Sequence, residues 1–170
     1  YRNEVAAYRL DRLLGLDLVP VTIERSVEGT PGAIQIFMEG AVDLTLLETY
    51  DQLDLLEGLD EERFTARVFS ALLAVEGRED FGRMFLPQDR RIALSDSTKA
   101  FPTSPEPGPD LPDPCGPLDA DLELGLSSLS RQQLAGVVGD LLSTEQIDGL
   151  LFRRDRILKV CDSQAAQSGG

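Results

Sequence analysis

The chain has 170 residues, 42% hydrophobic, 27% charged and 6% aromatic, which suits one domain with a modest core or the larger part of a two-lobed one. It carries 30 acidic and 16 basic side chains, a formal net charge of −14, and that field repels nucleic acid and anionic lipid. Histidine is absent, which excludes a Ser-His-Asp triad, a Cys-His dyad, H-E-x-x-H zinc chemistry and a histidine proton shuttle.

In chain order, residues 1–14 read as a helix with Val5, Ala6, Leu10, Leu13 and Leu14 on one broad face and Gly15 as its cap. The chain opens on Tyr1-Arg2-Asn3 rather than Met, so an incomplete reading frame or a trimmed chain is expected. Residues 19–27 and 33–39 alternate as strands, joined by the turn chemistry of Glu28-Gly29-Thr30-Pro31-Gly32. A short apolar-acidic stretch with Leu44, Leu46, Leu47, Leu53, Leu55 and Leu56 follows. Asp60 is the expected N-cap of a helix to about Val75, with Phe64, Val68, Ala71, Leu72 and Val75 as its core stripe. Short strands are expected at 83–86 and 91–95, joined by Pro87-Gln88-Asp89-Arg90.

Residues 102–117 hold seven of the 10 prolines and read as an extended loop. Beyond it the pattern is helical again. Ser130 with Gln133, and Ser143 with Gln146, are the spacings of capping boxes. The last helix carries Ile147, Leu150, Leu151, Ile157 and Leu158, while Arg153, Arg154, Arg156 and Lys159 are expected to complement its dipole. The tail Ser163–Gly170 reads as disordered.

The negative charge is concentrated. Residues 39–62 hold nine acids and no base, and residues 102–123 hold six acids and no base. These are two solvated segments or an acidic docking surface for a basic protein partner. No apolar run approaches the roughly 20 residues that span a bilayer, so a soluble chain without membrane insertion is expected. Cys115 and Cys161 form no C-x-x-C pair, which excludes a zinc ribbon and a disulfide-rich scaffold. With no signal segment visible at the start, the cytoplasm is favoured; bonding between the two cysteines stays open.

Three blocks in order carry a resemblance. Tyr1–Gly40 contains Asn3-Glu4-Val5-Ala6-Ala7-Tyr8, Leu13-Leu14-Gly15 and Val19-Pro20-Val21-Thr22-Ile23-Glu24-Arg25. Arg67–Phe101 contains Leu94-Ser95-Asp96-Ser97-Thr98-Lys99-Ala100-Phe101, and Gln146–Lys159 contains Leu150-Leu151-Phe152-Arg153-Arg154-Asp155. Together they resemble bacterial proteins related to the phosphatidylinositol-kinase-like and Golgi secretory-kinase-like families, which have a protein-kinase-like fold. The resemblance implies an α+β chain. Residues 1–40 would be helix C and its hairpin, a remnant of the N-lobe. Residues 41–162 would be a mainly helical kinase-like C-terminal lobe with short hairpins.

It also implies roles. Glu4 takes the position of the helix-C Glu that pairs with a strand Lys on the nucleotide phosphates; that Lys and the Gly-rich loop would lie before Tyr1. Asp96 takes the position of the metal-binding Asp, a ligand for Mg²⁺ beside ATP, with Lys99 where the family has Arg. The family's catalytic loop is Asn-Thr-Asp-Arg followed by Gly-Asn. Here Val75-Glu76-Gly77-Arg78-Glu79-Asp80-Phe81-Gly82-Arg83, aligned on Arg78 and Gly82, sets Gly77 at the catalytic Asp and Arg83 at the metal Asn. Losing a positioned general base typically costs about 10²–10⁴ in rate. A guanidinium in a cation site repels the metal, and Arg83 is expected to pair with Asp96 instead. Glu76, Glu79 and Asp80 are candidate substitutes for the lost base. Read from the residues alone, Glu4 is an exposed helical carboxylate, Asp96 a turn or cap residue, and Arg83 a solvent-facing strand residue.

Two functions follow from the resemblance, beside a soluble interaction domain unrelated to kinases as the reading without it. One is a degenerate kinase-like domain, a pseudokinase, acting by binding. The other is an ATP-dependent phosphotransferase with a drifted loop whose nucleotide-binding lobe lies outside this chain.

Overall fold

The structure is a computed structural model that describes residues 1–75, 82–109, 111–112 and 115–168, with side chains as far as Cys161. Helix α1 (Arg2–Leu14) buries Val5, Ala6, Ala7, Leu10 and Asp11 and ends at Gly15, whose φ of 69° is left-handed. The chain doubles back at once because Asp11 Oδ1 accepts from the Leu18 N–H at 2.9 Å. Arg12 lies 2.8 Å from the other Asp11 oxygen. Burial nonetheless pushes the Asp11 carboxyl above its ordinary range, against the lowering by the Leu18 N–H and by Arg12.

The hairpin follows as β1 (Thr22–Val27) and β2 (Thr30–Gln35), with Ile23 opposite Ile34. Its turn is tighter than the sequence pattern implies. Only Glu28 and Gly29 lie between the strands, both left-handed at φ 51° and 79°, the conformation that suits a right-twisted hairpin. Pro31 and Gly32, expected in the turn, are strand residues opposite Ser26 and Arg25; this sheet has two strands, so β2 keeps an open edge that tolerates proline. β2 stops at Gln35, short of the expected 39, although the Ile36 N–H still reaches Val21 O at 2.9 Å.

A second sheet has the order β3-β4-β5: β3 (Val42–Asp43), β4 (Arg83–Leu86) and β5 (Arg91–Leu94), all antiparallel. Asp43 caps the short α2 (Leu44–Thr49) through the Thr45 N–H at 2.8 Å, and a 3-10 turn covers Leu53–Leu56. Helix α3 (Asp60–Leu73) is capped at Leu59 with no side-chain bond, so Asp60 is its first residue rather than its N-cap. It ends earlier than expected, at Ala74, which is left-handed at φ 48°.

Through the described part of 102–117 the chain forms no helix or strand. Helix α4 (Ala120–Ser128) is capped by Asp119, and α5 (Arg131–Val138) has the complete Ser130–Gln133 capping box. Before α6 (Thr144–Ser168), the Ser143 N–H donates to Gln146 Oε1 at 2.9 Å and the Gln146 N–H returns to Ser143 Oγ at 3.3 Å. The α6 backbone continues through the first residues of the expected tail.

Phe69, Leu72 and Leu73 of α3 are buried at the centre of one hydrophobic core that also takes in α1, β5 and α6. The described chain therefore has six α-helices and two small antiparallel sheets, a mixed α+β architecture. Among the described residues no helix is long and apolar enough to cross a membrane.

One feature of α6 corrects the sequence reading, and a second closes a question that it left open. Arg153 is fully buried and does not serve a helix terminus. Its Nε donates to Leu72 O at 2.7 Å, and Nη1 donates to Pro102 O at 2.9 Å and Ser104 O at 2.5 Å. Burial lowers its pKa to about 10. Cys161 is bonded to Cys115, with Cα atoms 4.9 Å apart, so the Pro-rich segment is tied to α6 by a disulfide.

Candidate functional site

The site is built where the start of α1 meets the chain just past β5. β5 ends at Leu94, and Asp96 turns out of the strand at φ 63°, a left-handed value that Asp tolerates better than most residues. The following loop is tied to α1. Asn3 Nδ2 donates to Thr98 O and to Ala100 O, both at 2.8 Å. The Leu94 N–H donates to Leu18 O at 2.9 Å, so the segment after α1 holds the end of β5 as well.

Glu4 and Asp96 come together here. The Thr98 hydroxyl lies 2.9 Å from Glu4 Oε1 and 2.7 Å from Asp96 Oδ1. One hydroxyl has one proton, so it donates to one carboxylate at a time. A cavity of about 290 Å³ opens beside this group, lined by Val75, Asp96, Thr98 and Lys99. Asp96 lines this small cavity with Lys99 in its wall, and Glu4 reaches the same Thr98 hydroxyl, an arrangement of two carboxylates able to orient a hydroxyl.

Arg83 opens β4 directly opposite Leu94, the last residue of β5 and two residues before Asp96. Gly82 makes the close approach beside this pair possible. Its carbonyl accepts from the Ser95 N–H at 2.9 Å, and a Cβ at Gly82 would lie 2.3 Å from Ser95 O, so only glycine fits. Glu76, Gly77, Arg78, Glu79 and Asp80 lie outside the described residues.

Mg²⁺ takes oxygen ligands in octahedral geometry. Glu4 and Asp96 would offer it two carboxylates, and phosphate and water would have to complete the shell. Among the described residues there is no group of three or more His, Cys, Asp or Glu side chains that could hold a metal ion.

The two acidic segments also meet. Glu61 and Glu62 from one, and Asp119 and Asp121 from the other, rim a pocket of about 400 Å³ with Leu14 and Leu59 in its floor. Part of the acidity is structural: Asp43 and Asp119 cap helices, and Glu62 Oε1 accepts from the Ile92 N–H at 2.8 Å.

Sequence reasoning missed Asn3 and Thr98 as parts of the site. An Asp followed two residues later by Thr is a local hydrogen-bonding signature that could have marked Thr98. It also missed Arg153, which stands three residues after Leu150 and four before Ile157, inside the apolar stripe of α6. No protein-family model matches the chain, and no curated protein matches it.

Proposed function

We propose that the chain is a degenerate kinase-like domain that acts by binding rather than by phosphoryl transfer. The observation that carries this reading is the meeting of Glu4 and Asp96 on the Thr98 hydroxyl. Those two residues come from distant parts of the chain, and they are the two that the resemblance assigns to one nucleotide and metal site. The order of helix, hairpin, helix α3 and the β4–β5 hairpin leading to Asp96 supports the same reading.

The chemistry is impaired on two counts. Gly77 has no base to offer at the catalytic position. Arg83, opposite the last residue of β5, takes the position of a metal ligand in the resemblance and would bring a fixed positive charge there; its proposed role is to pair with Asp96. Glu4, for its part, bonds to the hydroxyl of Thr98. In a binding role, the acidic pocket between α3 and α4 suits a lysine or arginine side chain of a basic protein. Its leucine floor takes the aliphatic stem and its carboxylate rim the charge.

The alternative, an active ATP-dependent phosphotransferase, draws on the same pair of carboxylates. A thermal shift with ATP and Mg²⁺, run beside a phosphate-transfer assay on basic protein acceptors, separates the two. The binding reading expects no transfer, and Arg83→Asn is expected to increase any Mg²⁺-dependent shift. Turnover by the unaltered chain would overturn it. The Cys115–Cys161 bond supports an oxidising compartment over the cytoplasm, because such bonds are rare where glutathione keeps thiols reduced. Thiol alkylation on rapid lysis of the source cells tests this; two alkylated cysteines would contradict it.

A further inference from the structure

The segment formed by α2 and the 3-10 turn after it is apolar on two sides at once. Leu44, Leu47 and Leu56 are buried in the core. Leu46, Tyr50, Leu53 and Leu55 stand outward, with exposures from 41% to 70%. A helix that is apolar all round is ordinarily a covered one, and here the core covers the inner side. The backbone is held in this shape. The Tyr50 N–H donates to Leu46 O at 2.9 Å and the Gln52 N–H to Leu47 O at 2.8 Å; the chain bends at Asp51, with φ 54°, and Arg90 Nη2 fastens its end by donating to Glu57 O at 2.9 Å. Interleaved with the outward apolar residues are Glu48, Asp51, Asp54 and Glu57, all exposed, with no base from Glu39 to Glu62. Among the described residues none of these four carboxylates enters a salt bridge, whereas Asp60 pairs with Arg63 at 3.6 Å.

We propose that this outer side docks a basic amphipathic segment of a partner protein, one whose leucine-like side chains are flanked by Lys or Arg. The inference rests on the binding role proposed above and names the chemistry of its partner; Glu4 and Asp96 take no part in it. Charge complementarity chooses the occupant. A second copy would bring the same four carboxylates to the same place, in a chain of net charge −14, and an anionic lipid surface would meet the same repulsion. A purely cationic ligand would leave the four apolar side chains in water, and a purely apolar one would strip water from carboxylates without giving them a partner. A basic amphipathic segment answers both. Its apolar side chains lie on Leu46, Tyr50, Leu53 and Leu55, and its cations reach the carboxylates while their aliphatic stems stay on the leucines. Tyr50, the most exposed of the four at 70%, offers a rigid ring of the kind that anchors interfaces. The surface also leads somewhere. Leu55 is three residues from Gly58 in the lining of the α3–α4 pocket, at most about 11 Å of chain. A segment seated on the outer side can therefore place its last cation in that pocket.

The test is fluorescence anisotropy of a labelled peptide of about 14 residues, with Leu on one helical face and Lys on the other, titrated with the full 170-residue chain. Binding with Kd below about 100 µM at about 0.05 M salt is expected, weaker by about threefold or more at about 0.5 M. An analogue with Gln for Leu keeps the charge and should bind at least about tenfold more weakly. The variant Leu46→Ser, Tyr50→Ser should lose about tenfold, and Leu124→Ser, Phe152→Ser, the same kind of change at exposed positions on α4 and α6, less than about twofold. If the first variant melts non-cooperatively, Glu48→Gln, Glu57→Gln takes its place with the same ranking. No binding, equal binding of the Gln analogue, or the reverse ranking of variants overturns the proposal. Self-association of the parent that Leu46→Ser, Tyr50→Ser abolishes, or cosedimentation of the parent with phosphatidylcholine vesicles that the same variant loses, would assign the surface to a second copy or to lipid and overturns it too. A failed titration removes this surface alone; the phosphate-transfer assay still decides whether the domain is an enzyme.

Discussion

The Pro-rich segment and the β1–β2 hairpin are held by opposite means. The first forms no helix or strand in its described part, yet it is fastened at three places. Arg153 grips the carbonyls of Pro102 and Ser104. The Gly108 N–H donates to Ala71 O at 2.8 Å, so close that a Cβ on Gly108 would lie 3.0 Å from Ala74 Cα. Cys115 is bonded to Cys161. The hairpin has a regular antiparallel ladder and shows its apolar side to solvent. Regular hydrogen bonding is therefore no measure of how firmly a segment is held; buried anchors to other elements are.

The largest expected effect comes from cutting the strongest of those anchors. The two cysteines are 46 residues apart, and the chain-entropy model assigns a crosslink of that span about 4 kcal/mol. Guanidinium denaturation of a Cys115→Ala, Cys161→Ala variant should fall short of the parent by about that amount. Hydrogen exchange of the Gly108 amide should quicken while the β1–β2 amides stay as they were. Equal quickening in both regions would erase the contrast between them. Arg153→Met comes next. It strips three carbonyls of their donor and is expected to cost about 3 kcal/mol in the same measurement. Arg153→Lys should recover only part, because a single ammonium lacks the planar fork that reaches all three.

Much of the frame was legible in the sequence, and the reasons differ by element. α1 with its Gly15 cap, the β4–β5 hairpin and the Ser130–Gln133 box rest on local chemistry that nothing distant contradicts. The hairpin turn was misread because Pro31 and Gly32 are turn residues by habit, whereas an open-edged strand accepts both. Arg153 was misread because its charge outweighed its position; only the carbonyls of Leu72, Pro102 and Ser104, from distant parts of the chain, make a buried guanidinium tolerable. Glu4 and Asp96 were singled out through the resemblance alone. Thr98, which joins them, needed the tertiary contact to be seen.

A smaller effect sharpens the comparison at the base of the hairpin, where buried Asp11 secures the Leu18 turn. Its carboxyl is raised by burial, so the folded state holds the proton more tightly than the unfolded one. The parent should thus gain stability over Asp11→Asn as pH falls toward the ordinary carboxylate range, and lose that gain as pH rises through the raised folded value. Paired melting curves from neutral to acid pH report the trend; a constant gap between the variants would refute it. The smallest expected effect is at Ala74, left-handed at φ 48° where the Pro-rich segment crosses α3. Ala74→Gly should stabilise by up to about 1 kcal/mol through relief of that conformation, read as a modest rise in melting temperature.

The disulfide has a consequence for the order in which the protein is made. Domains take shape from the N-terminal side as the nascent chain leaves the ribosome, and Cys161 emerges long after the loop that runs from Asp96 to Phe101. Until α6 arrives with its sulfur and its buried arginine, the Pro-rich segment lacks two of its three anchors and keeps only the Gly108 bond to α3. The nascent molecule thus passes through a stage in which the candidate site is in place while the Pro-rich segment beyond it is still loosely held, and chaperones or oxidoreductases would meet it there.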